Sequence, residues 1–524
     1  MNFSYSRRFC RLAWMMVLVA LTGCGGAGGD ATDDSPAVPL PEPGPRPTSS
    51  IPTVGTAKKL ASFDGDASAP RIALDDRPSA TVYITWNQSD GVKNDLYLTR
   101  FVSSNGFWDL APEKLNTSDS GASGAGEMVV NREGSVAVVW PEPDNNGRHA
   151  LWSSYHGFSE RGWRLPEALG GASSGDAGRA LMVVESANRY VVVVWPQDGG
   201  DSGRLWANRY NVDPGGGWEG AESIDAGDGP VGEVLLVIDD QNTATAIWTQ
   251  HDGTRYNLWA RRHDSGTGWA AAQKLDTEDL GDVSAPQAVI DADGNMTLVW
   301  LQNDGNREHL WAIRHNGAAW QSAAEIGVAP GVANPKLVVD ADGNVTVAWV
   351  QLQLITGWGD VWAQRYLPGD GWDTPVSVST VADGVAELAW LTADSTGNVV
   401  AIWREKQRTG YQDIWANRYA VASGWGVAGE VENLNNGDAG MPIAGIDSSG
   451  DITLVWRHRH EGGDHLVSTR YRSTTDRWGR VTKVESAYEA GGIEPHLVVD
   501  RGGDATVVWL QPVDNRYEVW GNRF

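Results

Sequence analysis

The chain has 524 residues, 21% of them charged, and a formal net charge of −26 from 41 basic and 67 acidic side chains. That balance excludes a nucleic-acid backbone as partner, because phosphate contacts need a basic footprint. Only Cys10 and Cys24 are present, both near the amino terminus, so no disulfide staples the remainder.

Arg7, Arg8 and Arg11 precede an apolar run from Leu12 to Leu21, the charged and apolar parts of an export signal. The run ends in Leu21-Thr22-Gly23-Cys24, which resembles a bacterial lipobox. The resemblance implies that residues 1–23 are a cleaved signal peptide and that Cys24 is lipidated and anchored in a bilayer. With Gly25 following, it implies the outer membrane, without choosing the periplasmic or the surface side. Residues 24–57 read as the lipidated cysteine and a flexible Gly-, Asp-, Ser- and Pro-rich tether, too poor in apolar side chains to fold. No later stretch reads as a transmembrane helix.

From about residue 58 onward the sequence repeats. Trp86, Trp140, Trp195, Trp248, Trp300, Trp349, Trp403, Trp456 and Trp509 recur at spacings of 49 to 55 residues. Variants of -Leu-Trp-Ala-x-Arg-Tyr- and then -Gly-Trp- follow most of them, the signature of a stacked or radial array. In the sixth unit, 337–340 and 345–349 read as strands around an Ala341-Asp342-Gly343-Asn344 turn. Residues 360–366 make a third strand, and 375–378, after Gly371-Trp372, a fourth. The second strands are nearly unbroken apolar runs, such as Val191 to Trp195, which implies burial on both faces. Stacked sheets of this kind predict an all-β fold: a single β-propeller over residues 58–524, with nine four-stranded blades. The last unit stops after three strands, and Lys58 to Phe63 resembles a missing fourth, so an amino-terminal strand is expected to close the ring. An eight-bladed ring with one unit misread is the competing count. Oligomeric state is not legible.

Most of the tryptophans are expected to pack between blades. The set that follows turns (Trp108, Trp163, Trp218, Trp269, Trp320, Trp372, Trp425 and Trp478) is expected to be partly exposed. Trp358 and Trp390 fall outside the repeat register and are the individual candidates for ligand contact. Arg100, Arg209, Arg314, Arg365, Arg418, Arg470 and Arg523 share one third-strand position, which suits a repeated structural brace. Turns such as Asp291-Ala292-Asp293-Gly294-Asn295 suit backbone capping, with calcium as the alternative. His458, His460 and His465 flank a connection in the eighth unit that reads as a solvated polar loop, with a metal site as the sharper alternative. No catalytic constellation, cofactor fingerprint or resident metal motif emerges. The better place for binding is the ring face where fourth-to-first and second-to-third connections meet, rich in amides and carboxylates such as Gln250-His251-Asp252-Gly253.

The repeated Trp and Gly-Trp positions loosely resemble sialidase-superfamily and tectonin-like lectin repeats. The first resemblance implies glycoside hydrolysis and the second carbohydrate binding, and neither family's complete ligand motif is present. The reading that follows is a noncatalytic, membrane-tethered binding module of the cell envelope, recognising glycan or protein. The alternative is a carbohydrate-active enzyme of sialidase, glycoside-hydrolase or lyase type.

Overall fold

Each second strand places a tryptophan and the residue two positions later on the same face of its sheet. In the computed structural model of the protein this pairing recurs around a ring: the Trp248 indole donates to Gln250 at 3.0 Å, Trp140 to Glu142 at 2.7 Å and Trp509 to Gln511 at 3.0 Å. The described residues are 53–524 apart from 62, 78, 103–105, 110, 117–123, 144–146, 159, 161, 172–174, 186–188, 198–202, 214, 265, 277–280, 354–357, 380–385, 407–409, 433, 435, 461–462 and 486–490. The proposed lipidation site Cys24 lies outside them.

The strands form nine separate antiparallel sheets, numbered here as blades 1 to 9 in chain order. Blade 6 is representative, with strands Val332–Val339, Val345–Leu352, Gly359–Leu367 and a fourth in two pieces, Gly371–Trp372 and Val376–Ser377. First strands touch first strands all the way round, from blade 1 through blade 9 and back to blade 1, so these are the innermost strands of a closed ring. The architecture is a nine-bladed β-propeller.

Nine apolar clusters fill the nine seams, and each holds one second-strand tryptophan packed against the preceding blade. All nine indoles are essentially inaccessible to solvent. One buried anchor per seam settles the count at nine rather than eight. Third-strand tryptophans lie directly across from most of these anchors, as Trp349 does from Trp362, and Trp300 stacks on Trp311 with ring centres 6.4 Å apart.

Closure occurs where the sequence placed it. Lys58–Lys59 pairs antiparallel with Arg516–Arg523 in blade 9, with Lys58 opposite Gly521 and Lys59 opposite Trp520. The Leu60 amide donates to the Val519 carbonyl at 3.0 Å, and the Leu60 side chain enters the core between blades 9 and 1. Ahead of this strand the Val54 amide bonds the Lys483 carbonyl of blade 8 at 2.8 Å, so the incoming chain ties two blades together.

Candidate functional site

Most of the repeated arginines are braces. Arg365 pairs with Asp340 at 3.1 Å, Arg314 with Asp291 at 3.6 Å, Arg470 with Asp447 at 3.5 Å and Arg523 with Asp500. Arg262, which the sequence comparison of third strands passed over, makes the same pair with Asp239 at 3.2 Å. Several of these guanidiniums also lie over an aromatic ring of the next blade, 4.0 Å from Tyr366 for Arg314 and 4.0 Å from Tyr419 for Arg365. Each brace thus joins a turn, a third strand and a neighbouring blade.

The aspartates of these turns are correspondingly occupied. One Asp291 oxygen accepts from the Asp293 and Asn295 amides at 3.0 and 2.8 Å, while the other faces Arg314. The left-handed position of the turn is Gly294 here and Gly343 in blade 6, both near φ +80°, a conformation glycine adopts without a Cβ clash. Among the described residues no cluster of three acidic, histidine or cysteine side chains is arranged to hold a metal ion.

The amide- and carboxylate-rich face is also largely self-satisfied. Asp252 accepts from the Thr254 hydroxyl, the Thr254 amide, the Asn257 side chain and the Arg255 amide, and these bonds hold its carboxyl far below the usual range. Gln250 accepts from Trp248 and donates to the Gly227 and Gly229 carbonyls. Asp66, Asp176, Asp282 and Asp438 each accept a third-strand amide of the preceding blade and clip the ring together.

Trp358 is 36% exposed in the connection between the second and third strands of blade 6. Trp390 lies on the first strand of blade 7, at a register shift, and packs half-buried against the core between blades 7 and 8. They sit on different blades. The turn-following tryptophans are half-buried, most of them packed against an aromatic that ends the third strand, as in Tyr366–Trp372 at 5.5 Å and Tyr419–Trp425 at 5.8 Å.

His458 and His465 are not in a solvated loop. The strands Ile452–His460 and Gly463–Arg472 extend through them, with His458 directly opposite His465 and both buried. His458 occupies the place that glutamine or glutamate takes two residues after the anchor tryptophan in the other blades. It approaches Glu432 of blade 7 at 3.7 Å and bonds Asn436 at 2.9 Å. Burial, and then Asp413 and Glu430, push the Glu432 carboxyl up to about 8; the Ile414 amide and Trp456 indole oppose this without closing to hydrogen-bond geometry. His465 bonds Glu485 at 2.9 Å, and Lys483 approaches its other nitrogen at 3.0 Å. His458, His465, Glu432 and Glu485 are all buried.

An open groove lies elsewhere, between blades 1 and 2, on the opposite face from the one favoured by sequence. It is a cavity of about 170 Å³ lined by Arg77, Thr81, Tyr83, Arg100, Val102, Gly134, His156 and Phe158. Here the brace is broken. Arg77, inside the turn after the first strand Ala67–Leu74, takes Asp75 with Nε at 2.8 Å and also bonds Thr81 at 2.8 Å. Arg100, on the third strand Asn94–Val102, is displaced from the turn carboxylate and bonds Asp109 through Nε at 2.6 Å. Blade 2 places Asn131 and Tyr155 where other blades carry the acid and the arginine. The Arg77 guanidinium lies 4.6 Å from the Phe158 ring centre, and Phe158 is 57% exposed. Tyr83 donates to the Gly134 carbonyl at 3.0 Å, and burial, with Asp75 adding to it, raises its phenol pKa. Burial, then Arg100, lower the pKa of His156, which keeps its imidazole neutral near pH 7. The sequence signal was present in two departures, Asp75-Asp76-Arg77-Pro78-Ser79 in place of the Asp-x-Asp-Gly-Asn turn and Tyr155 in place of arginine.

No protein-family model matches the chain, and no curated protein matches it significantly. Similar solved structures include a polysaccharide lyase described as an ulvan lyase, 10% identical over 88% of this chain and 94% of its own, with a TM-score of 0.42. An α-L-arabinofuranosidase from Fusarium graminearum is 10% identical over 56% of this chain and 92% of its own, with a TM-score of 0.35. A eukaryotic initiation factor is 7% identical over 84% of this chain and 91% of its own, with a TM-score of 0.47. Likeness of this degree reaches neither ligand nor reaction. What its own nine sheets establish is that the chain is a β-propeller, and the described residues leave a groove between blades 1 and 2.

Proposed function

We propose that the protein is a noncatalytic binding module of the cell envelope, lipid-anchored through Cys24, that recognises glycan through the groove between blades 1 and 2. The observation that carries this reading is the groove's lining: an exposed aromatic, two arginines and a neutral imidazole at a seam where the repeated brace is rearranged. Aromatic faces and oriented donors are what a polyhydroxylated ligand needs. Among the described residues no carboxylate lines the groove, whereas glycoside hydrolysis by the usual route needs two. The full-length protein in detergent should therefore bind a glycan saturably and return it intact. A cell-envelope protein captured instead, with no glycan bound, would favour protein recognition.

A second reading is favoured by His156. An imidazole held neutral beside a guanidinium is able to accept a proton from a carbon next to a carboxylate, which is lyase chemistry. Release of unsaturated oligosaccharides from an incubated uronate polymer, lost in His156→Ala, would replace the noncatalytic reading with this one.

The anchor has its own test. Expressed in a bacterium fed a labelled fatty acid, the wild-type chain should carry label and sediment with membranes. Cys24→Ser should carry none and appear in the soluble fraction. Protease digestion of intact cells would then assign the side of the membrane.

A further inference from the structure

We propose that the groove between blades 1 and 2 is selective for an anionic oxygen group on its glycan, a carboxylate or a sulfate ester, held between Arg77 and Arg100 with Phe158 beneath the sugar ring. This rests on the glycan-binding reading above and names the class of glycan.

Three features of this seam point to it. In the braced blades one arginine meets one turn carboxylate, as Arg365 meets Asp340 at 3.1 Å with both side chains buried. Blade 1 has two arginines at that place. Arg77 takes Asp75 with Nε and Nη2, which leaves its Nη1 without a protein acceptor among the described residues. Arg100 spends only its Nε on Asp109, so its terminal N–H groups face the groove unpaired among the described residues. A planar carboxylate or a sulfate is the acceptor such paired N–H groups fit.

Asp75 and Asp109 each balance one guanidinium, so the attraction rests on the directed N–H groups that Arg77 and Arg100 have left over. Glu160, which acts on His156, is bonded to Arg164 at 2.7 Å. Glu113 is the other acid that acts on His156, and it does not line the groove. On the blade 2 side the usual turn carboxylate is replaced by neutral Asn131, whose side chain caps the Glu133 and Ser135 amides.

The chain's overall charge sharpens the case. A protein at −26 repels polyanions at long range, so any polyanion it retains must be held by local contacts. Phe158 adds an apolar surface at the groove's edge, with Arg77 already stacked against it.

The test uses full-length protein in detergent with three probes: polygalacturonate, dextran sulfate and neutral dextran. At least one charged probe should bind about tenfold or more tightly than dextran, since a hydrogen bond to a charged group is worth that much. Which one binds assigns carboxylate or sulfate. Arg100→Gln should remove the preference, Arg100→Lys should retain part of it, and Phe158→Ala should weaken binding without changing the preference. Arg100 is not buried, so an unchanged melting temperature separates lost recognition from lost fold. Equal affinity for charged and neutral probes, or a preference that survives Arg100→Gln, overturns the anion assignment and leaves glycan binding standing. Binding of none of the three probes overturns both.

Discussion

Deletion of residues 53–61 is expected to lower the melting temperature sharply and to make the protein associate. The segment supplies the fourth strand of blade 9, and without it the strand Arg516–Arg523 presents unpaired backbone N–H and C=O groups along an open edge. Three further ties go with it. Lys59 loses its 2.7 Å contact with Glu518, Asn522 loses the Val54 carbonyl at 2.8 Å, and the Lys483 carbonyl loses the Val54 amide. Leu60 alone matters: truncating a buried leucine costs about 2–5 kcal/mol, and this one packs with Val82, Val508 and Val519 across the closing seam. Leu60→Ala should therefore destabilise by roughly 3 kcal/mol, and the deletion by more. Calorimetry would measure the first effect and sedimentation at several concentrations the second. A deletion variant that melts with the wild type and stays unassociated would mean that closure contributes little.

Glu432→Gln is expected to stabilise the protein at alkaline pH and to leave it unchanged near pH 4. The sign follows from linkage. In the unfolded chain this carboxyl ionises near 4.5, whereas in the fold burial, then Asp413 and Glu430, push it up to about 8. Below 4.5 both states hold the proton and the group is neutral in the balance. Between 4.5 and 8 the unfolded state releases it and the folded state does not, so stability falls with rising pH and levels off above 8. Each unit of difference is worth about 1.4 kcal/mol, which places the ceiling of the effect at roughly 4–5 kcal/mol. Glutamine keeps the shape, removes the ionisation and brings an amide toward the His458 ring. Thermal melts of both chains from pH 4 to pH 9 should diverge above pH 5. Parallel curves would mean that Glu432 ionises freely in the folded state.

Both effects arise where one unit departs from the others, and so does the candidate site. Trp456 has the spacing of every other anchor and is just as buried, yet its indole lacks the hydrogen bond that Gln250 or Gln511 gives in its own blade. The difference is a single residue, His458, and its consequence depends on Glu432, 26 positions earlier in another blade. In blade 1 a single arginine inside a turn redirects Arg100, on a strand about twenty residues later.

The repeat itself was legible because its causes are local and periodic. Alternation of side chains along a strand puts each tryptophan and the residue two positions later on one face, and nine recurrences of that pattern predicted nine equivalent seams, a count the buried anchors settled against eight. The split last unit, with three strands at one end and a fourth at the other, made ring closure readable from Lys58 to Phe63 and confirmed the role of the nine tryptophans as seam anchors. Which arginines are braces and which line the groove was decided only by the tertiary structure, because it depends on distances between residues of different strands and blades. The same is true of the polar face, whose carboxylates look available in sequence and are consumed by amides of the preceding blade, as Asp282 is by Tyr256 at 2.7 Å. Spacing along the chain sets what each blade is, and contact across a seam sets whether its polar groups remain open to a ligand.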